Sequence, residues 1–130
     1  MSQRPIEMIL MRQLASTLAM PIFLVDPAGT LVFYNAAAED VLGLRFDETG
    51  EMSPDAWSRR WDPTTADWQP LPLERLPLGI AVAERRAVHD AFWIAVSGAP
   101  RRHIAVTAIP LIAVSHDVVG AAAFFWETAP

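Results

Sequence analysis

The side chains that could carry out acid–base or nucleophilic chemistry are few, and their spacing matches no catalytic set. Ser97, His103 and Asp117 are the residue types of a hydrolytic triad, in which a histidine takes the proton of an attacking serine. Nothing in the sequence brings these three together, so chance explains their presence better. The carboxylates are scattered too, and no pair has catalytic spacing: Asp26, Glu39, Asp40 and Asp47. We therefore expect a protein without enzymatic activity.

Metal and thiol chemistry have equally little support. The chain has 0 cysteines, which excludes a disulfide framework, a thiolate nucleophile and a cysteine metal site. Of the 3 histidines, His89 and His103 lie in segments with strand character, and His116 lies in a turn. The sequence therefore predicts no metal site.

Composition and charge describe one globular domain rather than a nucleic-acid or membrane protein. The 130 residues are 52% hydrophobic, which is enough to bury a single core, and the formal net charge of -5 disfavours attraction to phosphate backbones and anionic lipid. No apolar run reaches the roughly 18 residues that a membrane-spanning helix needs. Glu7, Arg12 and Gln13 interrupt the apolar start, which argues against a signal peptide, so we expect a cytoplasmic location.

The first third of the chain predicts a helix, a hairpin and a second helix. Residues 5–18 place apolar side chains near one helical face. Residues 21–34 are predicted to form two strands, joined by a tight turn at Asp26–Gly29. Asn35 follows the second strand directly and precedes an alanine-rich run, so its side chain is expected to cap a helix that ends at Gly43.

The rest of the chain predicts short helices and then strands. Residues 47–72 contain prolines that exclude a long helix or a central strand, so short turns pinned by the indoles of Trp57, Trp61 and Trp68 are expected. Residues 73–84 are expected to contain one helix. Three strands follow, separated by turn signals, within residues 87–96, 102–114 and 118–128.

Three stretches, in this order, resemble the PAS domain family: LVDPAGTLVFYNAAAEDVLGL, LPLERLPLGIAVAERRAV and HIAVTAIPLIAVSHDVVGAAAFFWET. The first is similar to the family's D-x-x-G-x-x-x-x-x-N-x-A-A opening, and the resemblance spans residues 13–128. It implies an α+β fold, a five-stranded antiparallel sheet of order 2-1-5-4-3 with short helices on one face. We expect residues 1–18 to form an N-terminal amphipathic helix and residues 19–130 to form the PAS domain. The resemblance further implies a sensory or regulatory module in signal transduction.

The residues of this chain exclude some of the cofactors that PAS domains use. Light-sensing LOV domains form a flavin–cysteine adduct, and coumarate-type photoreceptors attach their chromophore to a cysteine. Without cysteine, neither photochemistry is possible in this chain. Haem-type PAS sensors use a histidine in the helix before strand three, and the corresponding stretch, ERLPLGIAVAERR, has none. The identity of any cofactor therefore stays open.

The family's register predicts which strand residues face the helices. Aligning Pro110 and Gly120 with their family counterparts turns a wholly apolar set toward the helices: Phe23, Val25, Leu31, Phe33, Ile104, Val106, Ala108, Ala122 and Phe124. The simplest interpretation is that these side chains fill the space themselves. The alternative is a small apolar or aromatic ligand, held non-covalently between the sheet and the tryptophan-bearing segment. The candidate ligand-binding residues are then Phe33, Trp61, Trp68, Val106, Ala108, Ala122 and Phe124.

The opposite face of the sheet is predicted to lack charge as well. An apolar face must be covered, and the helix over residues 5–18 offers a matching surface. In PAS proteins such a helix often packs across a dimer, so we expect a homodimer through residues 5–18 and this outer sheet face. No nucleic acid or membrane partner is expected. The residues assigned to the outer face are Ala105, Thr107, Ile109, Ala121, Ala123 and Phe125.

The signal of a PAS domain usually leaves at the end of the last strand, where the family often carries Asp-x-Thr. This chain has Trp126, Glu127 and Thr128 there, and no effector segment follows. We expect either docking to a separate effector, such as a kinase or a transcription regulator, or a chain that is a fragment of a longer signalling protein.

The alternative class is a small α+β barrel enzyme of the cone-shaped isomerase or hydratase type. Such an enzyme also uses a bent sheet with helices on one face, but it needs acidic or histidine side chains that point into its cavity. The inward set predicted above contains none, so the sensory module is the preferred interpretation.

Overall fold

Five antiparallel strands form one sheet in the computed structural model, which describes residues 5–130. The strands lie in the order β2-β1-β5-β4-β3, so the predicted α+β fold and strand order are confirmed. Residues 1–4 of the predicted 1–18 helical segment lie outside the described residues. The elements are α1 (Ile6–Thr17), β1 (Ile22–Val25), β2 (Leu31–Tyr34), α2 (Ala36–Leu42), α3 (Phe46–Thr49), α4 (Pro54–Arg60), a 3-10 turn (Leu73–Arg75), α5 (Pro77–Glu84), β3 (Val88–Ile94), β4 (Arg102–Ile112) and β5 (Val118–Glu127).

The turn chemistry of the first hairpin matches the prediction. The Asp26 side-chain Oδ1 accepts hydrogen bonds from the backbone N–H groups of Ala28 at 3.0 Å and Thr30 at 2.9 Å. Gly29 has a φ of 87°, which a glycine adopts without steric cost. The turn of this hairpin is therefore stabilised by the Asp26 side chain and by the left-handed backbone conformation of Gly29.

Two apolar clusters lie on the two faces of the sheet. The cluster on the helix side, which we call the inner core, includes α2, α4 and α5 side chains packed on strand residues such as Val106 and Phe125. The cluster on the other face, which we call the outer core, lies under α1 and includes Met8, Ala15 and Leu24. Both sheet faces are therefore covered at β1 by the chain's own helices.

The predicted orientation of β5 is wrong by one residue. The register between β4 and β5 shifts at Ile112, which pairs with Val118 and leaves Val119 as an extra residue. This bulge precedes Gly120, from which the orientation was predicted, and Gly120 itself lies beneath Met8 on the outer face instead of facing the helices of the inner core. Every side chain counted from Gly120 is therefore reversed. The inner-core residues of β5 are Ala121, Ala123 and Phe125, and the outer-core residues are Ala122 and Phe124.

The predicted orientation of Phe33 is also wrong, because β2 contains a bulge. The register of β1 and β2 shifts between Leu24 and Val25, which leaves Val32 as an extra residue in β2. Leu31 consequently packs in the inner core, whereas Val32 and Phe33 both pack in the outer core. Strict alternation, which the prediction assumed, fails at this point.

Helix α1 is seated on the sheet by a glycine. Met8 is buried at 3% exposure, and a Cβ added at Gly120 would collide with its terminal methyl group and with the Val25 carbonyl oxygen. Gly120 also has a φ of 152°, outside the ordinary range of other residues. This glycine therefore permits the close approach of α1 to β5.

Asn35 fixes the other end of α1. Its Oδ1 accepts hydrogen bonds from the N–H groups of Ala38 at 3.0 Å and Ile22 at 3.1 Å, which confirms the predicted helix cap. Its Nδ2 donates to the carbonyl oxygens of Ala15 and Met20, each at 2.9 Å. One buried amide thus joins α1, β1 and α2.

Candidate functional site

A small cavity lies in the inner core, between the sheet and helices α4 and α5. Its volume is about 80 Å³. Strands β3 and β4 contribute Phe92, Ile94, Ile104 and Val106 to its wall, β1 and β5 contribute Phe23, Ala123 and Phe125, and the helical side contributes Trp57, Trp61, Leu76 and Leu78.

The size of this cavity limits what it holds without rearrangement. An apolar cavity of about 150 Å³ holds one benzene molecule, so a space of about 80 Å³ accepts only a smaller apolar species. A ring-sized ligand therefore requires a wall of the cavity to move.

The two tryptophans of the cavity wall are held by their indole N–H groups. Trp57 Nε1 donates to the Gly29 carbonyl oxygen at 2.7 Å, and Trp61 Nε1 donates to the Leu42 carbonyl oxygen at 2.8 Å. Both rings meet Phe23 edge-on, with centroids at 5.3 Å and 6.2 Å respectively. The indoles therefore pin the segment around α4, as the sequence predicts, and present ring surface to the cavity.

Trp68 lies away from the cavity. Its side chain is 65% exposed, and its ring stacks on the Arg101 guanidinium at 3.6 Å from the ring centroid. The opposite face of that guanidinium contacts the Trp93 ring at 4.3 Å. Trp68 thus clips the loop before the 3-10 turn to the β3–β4 hairpin.

The structure places the seven candidate residues predicted from the sequence in different parts of the molecule. Trp61 and Val106 line the cavity, and Ala108 lies fully buried in the same core without lining it. The bulge at Val32, the outward position of Gly120 in β5 and the exposed position of Trp68 account for the others. Those that the structure puts in the outer core are Phe33, Ala122 and Phe124.

Sequence reasoning missed several wall residues. Trp57 precedes Trp61 by four positions, a spacing that puts both side chains on one helical face, and this signal was available. Phe125 was assigned to the wrong face because the prediction turned Gly120 toward the inner core, whereas Gly120 lies beneath Met8 on the outer face. Phe92 reaches the wall from β3, for which no orientation was assigned.

The cavity wall has no group suited to acid–base catalysis. No aspartate, glutamate or histidine is among its lining residues in the described range 5–130. The nearby Tyr34 hydroxyl is buried and donates to the Leu44 carbonyl oxygen at 3.0 Å, and burial raises the pKa of this phenol above its usual value. Tyr34 therefore stays neutral at physiological pH.

The described part of the chain has neither a metal-binding cluster nor a helix that could span a membrane. Residues 5–130 contain no group of three or more histidine, aspartate or glutamate side chains arranged to hold a metal ion. None of the helices in this part of the chain has the length and apolar character needed to cross a bilayer.

Comparison with solved structures identifies similar folds. The chain is similar to the PAS domain of Bordetella pertussis BvgS, with a TM-score of 0.63, 15% identity, and coverage of 95% of this chain and 87% of that chain. It is also similar to the PAS domain of the fruit-fly ELK potassium channel, with a TM-score of 0.71, 9% identity, and coverage of 92% and 95%. The Rhodobacter sphaeroides LOV protein gives a TM-score of 0.73 at 12% identity, with coverage of 96% and 69%.

Sequence comparison agrees with the fold. No curated protein sequence matches the chain. A family model for the PAS domain matches residues 10–77, which include the second part of α1, the first hairpin, the tryptophan-bearing segment and the first residue of α5. This match covers more than half of the chain, and the chain belongs to the PAS domain family.

Proposed function

We propose that this PAS domain is a sensory module whose input is a small apolar or aromatic molecule, bound without a covalent bond in the inner-core cavity. The observation that supports the proposal best is the cavity itself, whose predominantly apolar walls carry aromatic rings on both the helical side and the sheet side. A charged metabolite would lose its hydration there without gaining a partner, which costs several kcal/mol. An apolar ligand meets no such penalty.

Association through α1 is the second element of the proposal. The helix packs on its own sheet through Met8 and Ala15, yet it carries a second apolar stripe on the opposite side. Ile6, Leu10 and Leu14 in that stripe are 66%, 57% and 52% exposed. A helix that is apolar on both sides is typical of a buried helix, so we propose that a second copy covers this stripe in a symmetric homodimer.

The proposed dimer surface differs from the sequence-based expectation in one respect. The part of the outer sheet face at β1 is already covered by α1 of the same chain. The outward stripe of α1 and the adjoining groove of about 320 Å³, bounded by Ile9, Gln13, Ser16 and Val32, are therefore the surface that remains for a second copy.

The output is proposed to be a docked effector such as a kinase or a transcription regulator in the cytoplasm. The LOV domain of a blue-light activated histidine kinase from Erythrobacter litoralis is among the structurally similar proteins, which supports a kinase as the effector class. The isomerase or hydratase alternative has no support from the cavity wall, because it lacks an acid, a base or a histidine.

A direct experiment is native mass spectrometry of the purified protein, combined with its absorbance spectrum. We expect a mass excess over the polypeptide that disappears on denaturation, or a rise in melting temperature with small apolar compounds. A protein that purifies without a ligand and is not stabilised by any member of an apolar compound library would contradict the proposed input.

A further inference from the structure

The segment 52–64 crosses the cavity side of the sheet from one edge strand to the other, and we call it the strap. At one end, the Leu31 N–H donates to the Met52 carbonyl at 2.8 Å and the Met52 N–H donates back to Leu31 at 3.2 Å. At the other end, Thr64 and Trp93 exchange the same pair of bonds, each at 2.9 Å. Leu31 belongs to edge strand β2 and Trp93 to edge strand β3, so the strap clips both edges of the sheet.

The middle of the strap forms one wall of the cavity. Helix α4 lies there, with Trp57 and the following Trp61 facing the sheet. The sheet side of the cavity is hydrogen-bonded along its full length, whereas the strap is a short helix held mainly at its ends and by two indole bonds. The strap is therefore the wall that costs least to move.

The two ends of the strap are held unequally. Next to the β3 clip, the Ala95 N–H donates to the Trp61 carbonyl at 2.7 Å, and the Arg101 guanidinium donates to the Thr64 hydroxyl at 3.4 Å and the Ala66 carbonyl at 3.0 Å. Trp68 stacks on the same guanidinium.

The β2 end has fewer bonds to the body. Besides its clip, the hydrogen bond that joins this end of the strap to the body within residues 5–130 runs from Trp57 Nε1 to the Gly29 carbonyl oxygen. Each net hydrogen bond contributes about 1 kcal/mol, so the β2 end releases first when the strap is lifted.

We infer that the strap is the entrance to the cavity and that it opens at its β2 end, with the β3 end as the hinge. This inference rests on the proposed binding of an apolar ligand in the cavity. A ligand larger than the present volume of about 80 Å³ holds the strap partly lifted, which breaks the Leu31–Met52 pair and the Trp57–Gly29 bond.

Opening at this end links the cavity to the proposed dimer surface. Val32, the neighbour of Leu31, lines the groove between α1 and β2. Release of the Leu31 backbone therefore alters the edge of β2, where a second copy is proposed to bind. The ligand thereby shifts the equilibrium between the two conformations of this edge, with the strap clipped and with it released.

The test is amide hydrogen exchange of the full chain, measured by NMR with two probes. Xenon is a small apolar species that occupies a cavity without wall movement, and benzene is larger than the closed cavity. With benzene, we expect exchange at Leu31 and Met52 to rise by about tenfold or more while Thr64 and Trp93 keep their rates. With xenon, all four amides keep their rates.

Other outcomes separate the two claims. Binding of benzene with faster exchange at Thr64 and Trp93, or with no change at any of the four amides, overturns the strap inference and leaves the proposed input standing. If neither xenon nor benzene binds, the proposed input fails and the strap inference fails with it.

Two matched variants provide a second readout. Trp57→Phe and Trp61→Phe each keep an aromatic wall and remove one indole N–H. We expect Trp57→Phe to raise the rate of benzene association about fivefold, because one bond that holds the opening end is lost. Trp61→Phe, next to the hinge, leaves that rate within about twofold; equal effects of the two variants, or a larger effect of Trp61→Phe, contradict the assigned direction.

Discussion

Asn35 shows how much structure a single side chain organises in this protein. The sequence identifies it as a helix cap because it stands between a strand and an alanine-rich run. Its contacts to Ile22, Ala15 and Met20 join residues distant in the chain, and they follow from the tertiary packing alone. The local role was predictable and the long-range role was not.

Replacement of this amide tests both roles. We expect Asn35→Ala to lower the free energy of unfolding by about 3 kcal/mol, because it removes the cap and leaves the buried Ile22 N–H and Ala15 carbonyl without partners. Ser53→Ala is the matched control, since Ser53 caps α4 through Ala56 alone, and it should cost about 1 kcal/mol. Urea unfolding measures both; equal losses would show that Asn35 acts only as a cap.

Tyr34 is the only tyrosine of the chain, so its titration can be followed without assignment. Burial raises its pKa in the folded protein, which means that the neutral phenol is favoured by folding. This contribution to stability is fully present below the unfolded pKa of about 10 and is lost as the pH rises through the folded value. We expect the phenolate absorbance to appear only above the pH at which a free tyrosine ionises, together with loss of stability.

Tyr34→Phe is the control for this titration. It loses the hydrogen bond to Leu44 but cannot ionise, so its stability should decline less steeply over the same alkaline range. A wild-type phenol that titrates at the ordinary pH would contradict the account.

At the scale of elements, the strands and helices were largely predictable and their faces were not. Hydrophobic content and turn residues located α1, both hairpins and the end of α2 at Gly43. The bulge at Val32 reversed the orientation of Phe33, because a bulge depends on pairing between strands and leaves no mark in the alternation of one strand. In β5 the predicted orientation was reversed because Gly120 faces α1 and not the inner core. Three of the seven candidate site residues moved to the outer core for these two reasons.

Helix α1 carries the prediction for assembly. Leu14 is 52% exposed in the single chain, so Leu14→Asp should leave the fold intact and dissociate the proposed dimer by placing an unpaired carboxylate in the interface. Ile9→Asp, at a residue 41% exposed, should act in the same way. Sedimentation velocity at micromolar concentration gives the oligomeric state, and a thermal melt reports the fold.

A variant in β5, beneath the side of α1 that packs on the sheet, is the comparison. Gly120→Ala displaces Met8 and should loosen α1 from its own sheet, with a lower melting temperature. A wild-type protein that sediments as a monomer, or a Leu14→Asp protein that remains a dimer, would show that the outward stripe of α1 is not the interface.

At the scale of the whole molecule, one sheet separates the proposed ligand site from the proposed dimer surface. The inner core contains the cavity and the strap, and the outer core holds α1, with Ala122 and Ala123 as neighbours on opposite faces of the central strand β5. Family and fold were predictable because the turn, cap and strand signals occur in the family's order. The volume of the cavity was not, because it depends on the close packing of side chains from most elements.

The central claim is that the inner core binds an apolar ligand, and the adjacent alanines of β5 test it most directly. Ala123→Leu fills the cavity, whereas Ala122→Leu adds the same atoms under α1, and each should cost about 1–3 kcal/mol in stability by overpacking. Benzene binding measured by calorimetry on wild type and both variants decides the matter. We predict binding to wild type and Ala122→Leu and none to Ala123→Leu; equal binding to all three, or loss only in Ala122→Leu, would contradict the account.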